Sequence, residues 1–596
     1  MESANTPGQN HPQSMATPKS QERVKGLSEP PLSQSAEPGT ARLEETQQAL
    51  AANGGRDGLR VFRWGLTVFM VLATSVPYLL NFFSTPAGYH YTWIVPPYPE
   101  DSLAYLSWSQ QAAHGSLLFQ LKYTALPHHA FLFHPFFLVC GWLSSLFACD
   151  IGIIHWVMKA VGVVFFLVTF FRYTDYLGLT EFQSVVASIL VGVSSGMGGL
   201  IVWIGLADQL QMVPADLWVP EANTYWCLLW NPLFPYALAL TLLVIYWLDR
   251  GTQYAQKRDF WFSGLAAGVL ALIHPYSQPL LFAFAVIITV QRRRAEALGD
   301  LGRYFLASLP FVLYVVLISK LNPLVLRHSA GGEMRSPSLV AYLAGFGFPL
   351  LLFVAGLAVG RGQLIKRYWH IILWFLLCLV FSYFPFWFQR KFIFGAHIPL
   401  CIMAGISFDL LLTRGSGASA HIRRQVLVIA TVVLLPLLAS TPVYLFASQG
   451  REVKNNADGT YFISDDILKG LMFLKNRGKP NEIVFATLAT SRLIPAFSGN
   501  TVLWGHWAMS VDLNERENWL ANLINNPSNQ DDARRGREFW GAGIQYVFAD
   551  GELKQALDRN PHKWRFILDA ADVVFENGSL RIYQHRARQI NSSLIH

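Results

Sequence analysis

Residues 61–83, VFRWGLTVFMVLATSVPYLLNFF, and residues 98–105, YPEDSLAY, decide the fold between them. The first is an apolar run long enough to cross the roughly 30 Å hydrocarbon core of a bilayer. The second sets two adjacent carboxylates, Glu100 and Asp101, just beyond that run. A carboxylate at the membrane edge is costly to desolvate and marks a site of function.

The rest of the chain repeats the first pattern. It has 596 residues, 52% hydrophobic and only 14% charged, where a soluble domain carries about 25% charged residues. Mean hydropathy is +0.31. Apolar residues come as continuous runs rather than amphipathic stripes, at 61–83, 131–148, 152–173, 183–205, 226–248, 260–274, 276–290, 304–321, 339–359, 369–388, 392–412 and 425–447. Together they predict a polytopic α-helical membrane protein of 12–13 transmembrane helices. The net charge of +8 does not point to nucleic acid, because Lys and Arg lie mainly in short loops between runs, where they set orientation. The five cysteines fall in or beside apolar runs with no CxxC pair, which supports neither a disulfide framework nor a thiolate metal site.

Orientation follows from the basic loops Arg250/Lys257/Arg258, Arg292-Arg293-Arg294, Arg361/Lys366/Arg367 and Arg414/Arg423/Arg424, which belong on the cytoplasmic side. Arg56 and Arg60 before the first run, with Arg63 at its start, make it a retained signal anchor with a cytoplasmic N-terminus. The loops 84–130, 206–225 and 322–338, and everything after 448, then face outward. Twelve crossings would return the C-terminus to the cytoplasm. Parity is restored if Ser194-Ser195-Gly196-Met197-Gly198-Gly199 splits the run 183–205 into two short segments, since broken helices are tolerated where protein or a wet cavity covers the freed backbone. His274-Pro275-Tyr276 divides another pair of short runs.

Both ends differ from the middle. Residues 1–58 are rich in Ser, Pro, Gln, Glu and Gly with almost no aromatics, and predict a disordered tail. Residues 449–596 regain charge and predict an extracytoplasmic α/β domain. Its signals are a helix over Asp465–Arg477 with Ser464 as N-cap, strands at Glu482–Thr487 and Ile544–Ala549, and a hairpin turning at Asn577-Gly578.

The chemistry-bearing residues gather in the outward loops. Pro96-Pro97-Tyr98-Pro99 stiffens the approach to Glu100, and a helix over Asp101–His114, with Asp101 at its N-cap, can lie along the membrane surface. Lys122, His128, His129 and His134 follow; imidazoles with a carboxylate suit either general-base work or a divalent cation such as Mg or Mn, and their spacing matches no metal motif. His134-Pro135 opens the second run. The loop 206–225 adds Asp216 and Glu221, and the loop 322–338 adds Arg327, His328, Glu333 and Arg335 beside Gly331-Gly332. Arg390 and Lys391, between Phe388 and Phe392, are outward cations at lipid depth, shaped for an anionic headgroup. Asp465-Asp466 and His506-Trp507 suit sugar contacts or a purely structural role.

With Glu100-Asp101 in a long first outer loop, a surface helix after it, many spans and an outer domain, the chain resembles the GT-C superfamily of polytopic membrane glycosyltransferases, which use polyprenyl-phosphate-linked sugars. Asp216-Leu217-Trp218-Val219-Pro220-Glu221-Ala222-Asn223, Arg390-Lys391-Phe392 with His397-Ile398-Pro399-Leu400, and Leu493-Ile494-Pro495-Ala496 with Gly505-His506-Trp507 are similar to stretches in a poorly characterised bacterial branch of that type. The resemblance implies transfer of a sugar from a polyprenyl-phosphate donor to a glycan, lipid or protein acceptor at the outer face of the cell membrane. It implies Asp101 as the catalytic base with Glu100 in support, and Arg390, Lys391, Lys122 and Arg327 at the donor phosphate. His128, His129, Asp216, Glu221, His328 and Glu333 are implied contacts for substrate or metal. No second acidic DxD motif is present. A multi-span transporter or lipid-linked saccharide flippase is the main alternative; it predicts ionisable residues inside the spans, where Lys159 and Lys320 are the few candidates. A non-catalytic scaffold is a further one.

Overall fold

The computed structural model describes residues 38–325, 334–360, 362–416, 437–456, 459–479, 481–525 and 532–586, with scattered positions between 419 and 429. The first 37 residues, Arg327, His328, Gly331, Gly332, Glu333, Arg361, Arg424 and most of the run 425–447 lie outside the described residues. Residues 1–58 and 59–596 form two compact units. In the first, the backbone of residues 38–58 is helical, where composition predicted no order. The stretch Ala41–Ala52 is rich in Ala, Leu, Glu and Gln, so local helix propensity accounts for the difference.

The second unit is a membrane protein built mainly of helices, with a strand sheet near its C-terminal end. Its early helices are α1 (Asp57–Phe83), α2 (Pro99–Ala113), α3 (Pro135–Phe147), α4 (Ile151–Tyr176), α5 (Glu181–Val193) and α6 (Gly198–Trp203). Six segments among the described residues are long and apolar enough to cross a membrane: α1, α4, Pro275–Leu321, Leu339–Gly360, Gln363–Phe381 and Gln389–Arg414. The runs 131–148, 183–205, 226–248 and 260–274 are largely helical too. Among them α3 and α5 have only 13 residues each, and the runs 276–290 and 304–321 are two helices joined through Arg294, whose φ of 27° bends the chain.

The predicted break after residue 193 is present. A capping box at Thr180 starts α5, which ends at Val193, and the chain resumes as the six-residue α6. Glycine is required at the break: a Cβ on Gly196 would stand 2.2 Å from the Gly345 carbonyl oxygen. The partner helix Leu339–Gly360 is itself interrupted at Gly347, with φ of 47°. Two broken helices therefore meet backbone to backbone. Lys159, the charge inside α4, is fully buried. Its Nζ donates to the Thr74 carbonyl at 2.5 Å and sits 4.0 Å from the centre of the Tyr78 ring. It fastens α4 to α1 through that carbonyl and a π face, and reaches the Leu229 carbonyl at 3.4 Å, with no acid among its described partners. The loop arginines are also engaged: Arg250 with Asp259 at 2.6 Å, Arg293 with Asp300 at 3.1 Å, Arg423 with Asp409 at 3.0 Å, and Arg292 with Asp249.

Near the C-terminus a five-stranded sheet runs in the order β4-β3-β5-β7-β6. Here β3 is Ile483–Phe485, β4 Thr501–Val502, β5 Ile544–Ala549, β6 Ala571–Asn577 and β7 Leu580–His585. The first three are parallel neighbours, and β7 runs antiparallel to β5 and β6. Ser464 caps the helix Asp465–Arg477 by accepting from the Ile467 amide. Asp466 closes the β6–β7 turn by accepting from Asn577 Nδ2 at 3.0 Å and the Ser579 amide at 3.1 Å.

This region does not stand apart from the first long loop. β1 (Tyr89–Tyr91) pairs antiparallel with β2 (Phe462–Ser464). Helix α2 is wedged in rather than laid along a surface. Leu103, Ala104 and Leu106 enter a core shared with Leu493, Ile494 and Val484, while Tyr105 and Trp108 pack on Phe137 of α3. Apolar residues on both flanks of one helix, taken on sequence alone for a membrane-facing stripe, serve two cores.

Candidate functional site

Everything about the carboxylate pair follows from how α2 begins. Tyr98 holds a left-handed backbone, φ 59° and ψ 59°, an uncommon state for a residue with a Cβ. Its hydroxyl donates to the Trp218 carbonyl at 3.2 Å and its ring meets Trp230 edge-on. Pro99 then occupies the first helical position, where its missing N–H costs nothing. The helix thus starts earlier than predicted, and Tyr98, not Asp101, is its N-cap. Both acids stand in the first turn, where the helix dipole favours negative charge, and both side chains are free to face other partners.

Those partners come from the C-terminal region. Glu100 pairs with Arg492 at 3.1 Å. Asp101 Oδ1 lies 3.3 Å from His506 Nε2 and accepts from Trp507 Nε1 at 3.3 Å. Its side chain is 26% exposed. Burial pushes the Asp101 carboxyl upward, but the neighbouring His506, the Lys391 ammonium and the Trp507 hydrogen bond outweigh it and hold the group below its ordinary range. Asp101 is therefore a carboxylate at neutral pH.

Across the site, Glu221 sits in the 3-10 turn Pro220–Ala222 and Lys391 in the 3-10 turn Gln389–Ile393. They form an ion pair in which Glu221 is almost wholly buried. Burial raises the Glu221 carboxyl; Lys391 and Arg390 overcome that and leave it below the usual range. The Arg390 guanidinium lies 5.4 Å from the centre of the Trp218 ring, and its Nε finds no partner among the described residues. Tyr98, Tyr105 and Tyr276 fill the space between: each feels Asp101, Glu221 or the two cations electrostatically. Asn231 donates to the Tyr105 hydroxyl at 3.3 Å. The result is an aromatic-walled polar site holding one carboxylate, Asp101, and one carboxylate–ammonium pair with an arginine beside it.

The structure thus gathers Glu100, Asp101, Glu221, Arg390 and Lys391 and takes other predicted residues elsewhere. Lys122 is buried, with Nζ donating to Asn481 at 2.8 Å and its ammonium pushed down to about 8 by burial. His128 spends both ring nitrogens on backbone, one 2.7 Å from the Leu126 carbonyl and the other accepting from the Leu121 amide at 3.0 Å. His129 is exposed on a hollow shared with Gln120, Thr124 and Asn481. Asp216 is fully buried beneath α6, accepting from the Gly198 amide at 3.2 Å and Thr441 Oγ1 at 2.6 Å. It ties α6 to the helix Ser440–Asn455, and burial pushes its carboxyl up to about 7. Arg327, His328 and Glu333 lie outside the described residues. No group of three or more His, Cys, Asp or Glu side chains among the described residues is placed to hold a metal ion.

Sequence reasoning gave no role to Arg492, Tyr98, Tyr105 or Tyr276, and did not connect His506-Trp507 with Asp101. The one usable signal was Gly505-His506-Trp507 itself, because Gly505 takes φ of 155° against Tyr123 and the Ser491 carbonyl, the mark of a close backbone approach.

No protein-family model matches the chain, and no curated protein matches it. Solved structures with a similar backbone include archaeal oligosaccharyltransferase AglB from Archaeoglobus fulgidus, in complex with an inhibitory peptide and a dolichol-phosphate. It shares 12% identity at a TM-score of 0.44, over 84% of this chain and 70% of that one. ArnT from Cupriavidus metallidurans, bound to undecaprenyl phosphate, shares 13% at 0.45, over 87% and 98%. Arabinofuranosyltransferase AftD from Mycobacteria shares 15% at 0.46, over 87% of this chain and 40% of its own length.

Proposed function

We propose that this protein is a membrane glycosyltransferase that moves a sugar from a polyprenyl-phosphate-linked donor to a hydroxyl acceptor at the outer face of the membrane. The observation that carries this reading is the convergence of ionised Asp101 with Arg390 and the Lys391–Glu221 pair in one aromatic-walled site. In the reaction the acceptor oxygen attacks the anomeric carbon, forming a C–O bond while the bond from that carbon to the phosphate oxygen breaks. The electron pair leaves with the polyprenyl phosphate, and the acceptor proton passes to Asp101. Arg390 and Lys391 against Glu221 leave one net positive charge. A sugar-phosphate diester carries one negative charge and gains a second as it departs, so attraction grows along the reaction coordinate, which is what accelerates it. That match favours a monophosphate donor. Glu100 is taken up by Arg492 and supports the site through that contact.

The test is a donor screen on purified protein in lipid nanodiscs, with radiolabelled polyprenyl-monophosphate sugars and polyprenyl-diphosphate sugars, reading released lipid phosphate. Release from monophosphate donors, lost in the Arg390→Ala variant, supports the reading. Release from neither class removes it.

A further inference from the structure

A buried imidazole contributed by the C-terminal region faces the carboxylate on α2, and nothing so far explains why a histidine is needed there. His506 is 2% exposed. Its Nδ1 accepts from two backbone amides, Ala508 at 3.0 Å and Met509 at 3.2 Å. A nitrogen that accepts two hydrogen bonds carries no proton, so the ring proton resides on Nε2, which has no hydrogen-bond partner among the described residues and lies 3.3 Å from Asp101 Oδ1. The ring is held between Tyr123, with centroids 5.6 Å apart, and Trp507, 5.9 Å apart at 23°. The Ser510 hydroxyl accepts from the Gly505 and His506 amides at 2.9 and 3.0 Å, which pins the turn that carries the ring. Tautomer and backbone are thus fixed by the Ala508 and Met509 amides and by Ser510, and the ring plane by Tyr123 and Trp507.

We infer that His506 is a positioning residue: a neutral Nε2–H imidazole that orients Asp101, so that the C-terminal region forms part of the catalytic centre. Trp507 Nε1 donates to the same oxygen, Oδ1. That leaves Oδ2 for the proton arriving from the acceptor. This inference rests on the proposed role of Asp101 for its catalytic consequence, but the His506–Asp101 pairing can be tested without it. The other charged or titratable groups that face Asp101 are Lys391, Glu221, Tyr98, Tyr105 and Tyr276, with the Glu100–Arg492 pair alongside.

The experiment combines two measurements on full-length protein in nanodiscs, using His506→Phe, which keeps the ring but has no donor, and His506→Gln, whose amide can donate from the Nε2 position. First, melting temperatures are compared for His506→Phe in the wild-type and Asp101→Asn backgrounds between pH 8 and pH 3. At pH 8 the substitution should lower the melting temperature more in the wild-type background than in Asp101→Asn. The difference should shrink as pH falls below the ordinary carboxylate range toward pH 3, where the carboxyl begins to protonate. Equal effects in both backgrounds at every pH would overturn the inference, whether or not transfer is ever detected. Second, with a polyprenyl-monophosphate sugar donor, the acid limb of the kcat/KM profile should move up by at least one pH unit in His506→Phe, with a 10- to 100-fold loss at pH 7. His506→Gln should recover at least tenfold of it. Equal losses in both variants with an unmoved acid limb mean a purely structural histidine and also overturn it. Full activity in Asp101→Asn, by contrast, would remove the base while leaving the measured pairing intact.

Discussion

At the scale of single residues, the site is a set of buried charges whose partners decide what each can do. Glu221 and Lys391 illustrate it. Removing one member leaves the other buried and unpaired, which costs about 3–5 kcal/mol, whereas replacing both by neutral groups of similar size is close to neutral. Lys391→Met is therefore expected to destabilise the protein by that amount in thermal unfolding. Lys391→Met with Glu221→Gln should regain most of the stability but not the transfer activity, since the cation proposed for the leaving phosphate is still gone. Asp216 provides a pH signature of opposite sign to Asp101. Its carboxyl is raised to about 7 in the folded protein, so its contribution is fully favourable below about pH 4 and is lost as pH rises through 7. The loss is on the order of 4 kcal/mol at full burial. Asp216→Asn, which keeps an acceptor for the Gly198 amide, should flatten the decline in melting temperature between pH 5 and pH 8; an unchanged slope would show that Asp216 does not titrate there.

At the scale of elements, two contacts place the site. One is the crossing of the broken helices at Gly196 and Gly347, where a Cβ on Gly196 would collide with backbone and not with a movable side chain. Gly196→Ala should cost about 1–3 kcal/mol or more, seen as a lower melting temperature and poorer recovery of folded protein from detergent. The other is Lys159, whose partners are two carbonyls, of Thr74 and Leu229, and an aromatic face. A transport mechanism would need this charge to change partners during the cycle. A fastening role does not, and Lys159→Met is expected to keep transfer activity within about twofold; loss of all activity in a variant that folds normally would revive the transport alternative. The elements also show why the start of α2 was misplaced from sequence. Prolines before Glu100 argued against helix, yet Pro99 is acceptable at the first helical position because the strained Tyr98 turns the chain just ahead of it. That strain depends on Trp218 and Trp230, far away in sequence.

At the scale of the whole molecule, what was legible in the chain is what depends on local pattern. The apolar runs, the glycine break after residue 193, the Ser464 cap and the Asn577-Gly578 hairpin all follow from neighbours a few residues apart, and all are present. The carboxylate pair and the Arg390-Lys391 pair stood out because charge at a membrane edge is rare. Their convergence was implied only by resemblance. His506 and Arg492 reach Glu100 and Asp101 across some four hundred positions of chain, and no spacing rule connects them. Lys122, His128 and Asp216 were selected for residue type and loop, and the structure gives each of them backbone or buried partners that type and loop do not reveal. If a base at Asp101 and protein cations at the phosphate suffice, transfer should persist in excess EDTA, because each carboxylate of the site already has a protein partner. The most direct measurement is single-turnover transfer from a polyprenyl-monophosphate sugar by wild type and by Asp101→Asn, at matched folding and lipid content. A fall of about 10²–10⁴-fold in the chemical step with unchanged donor binding is the predicted result; a rate within a few fold of wild type would contradict a catalytic role for Asp101.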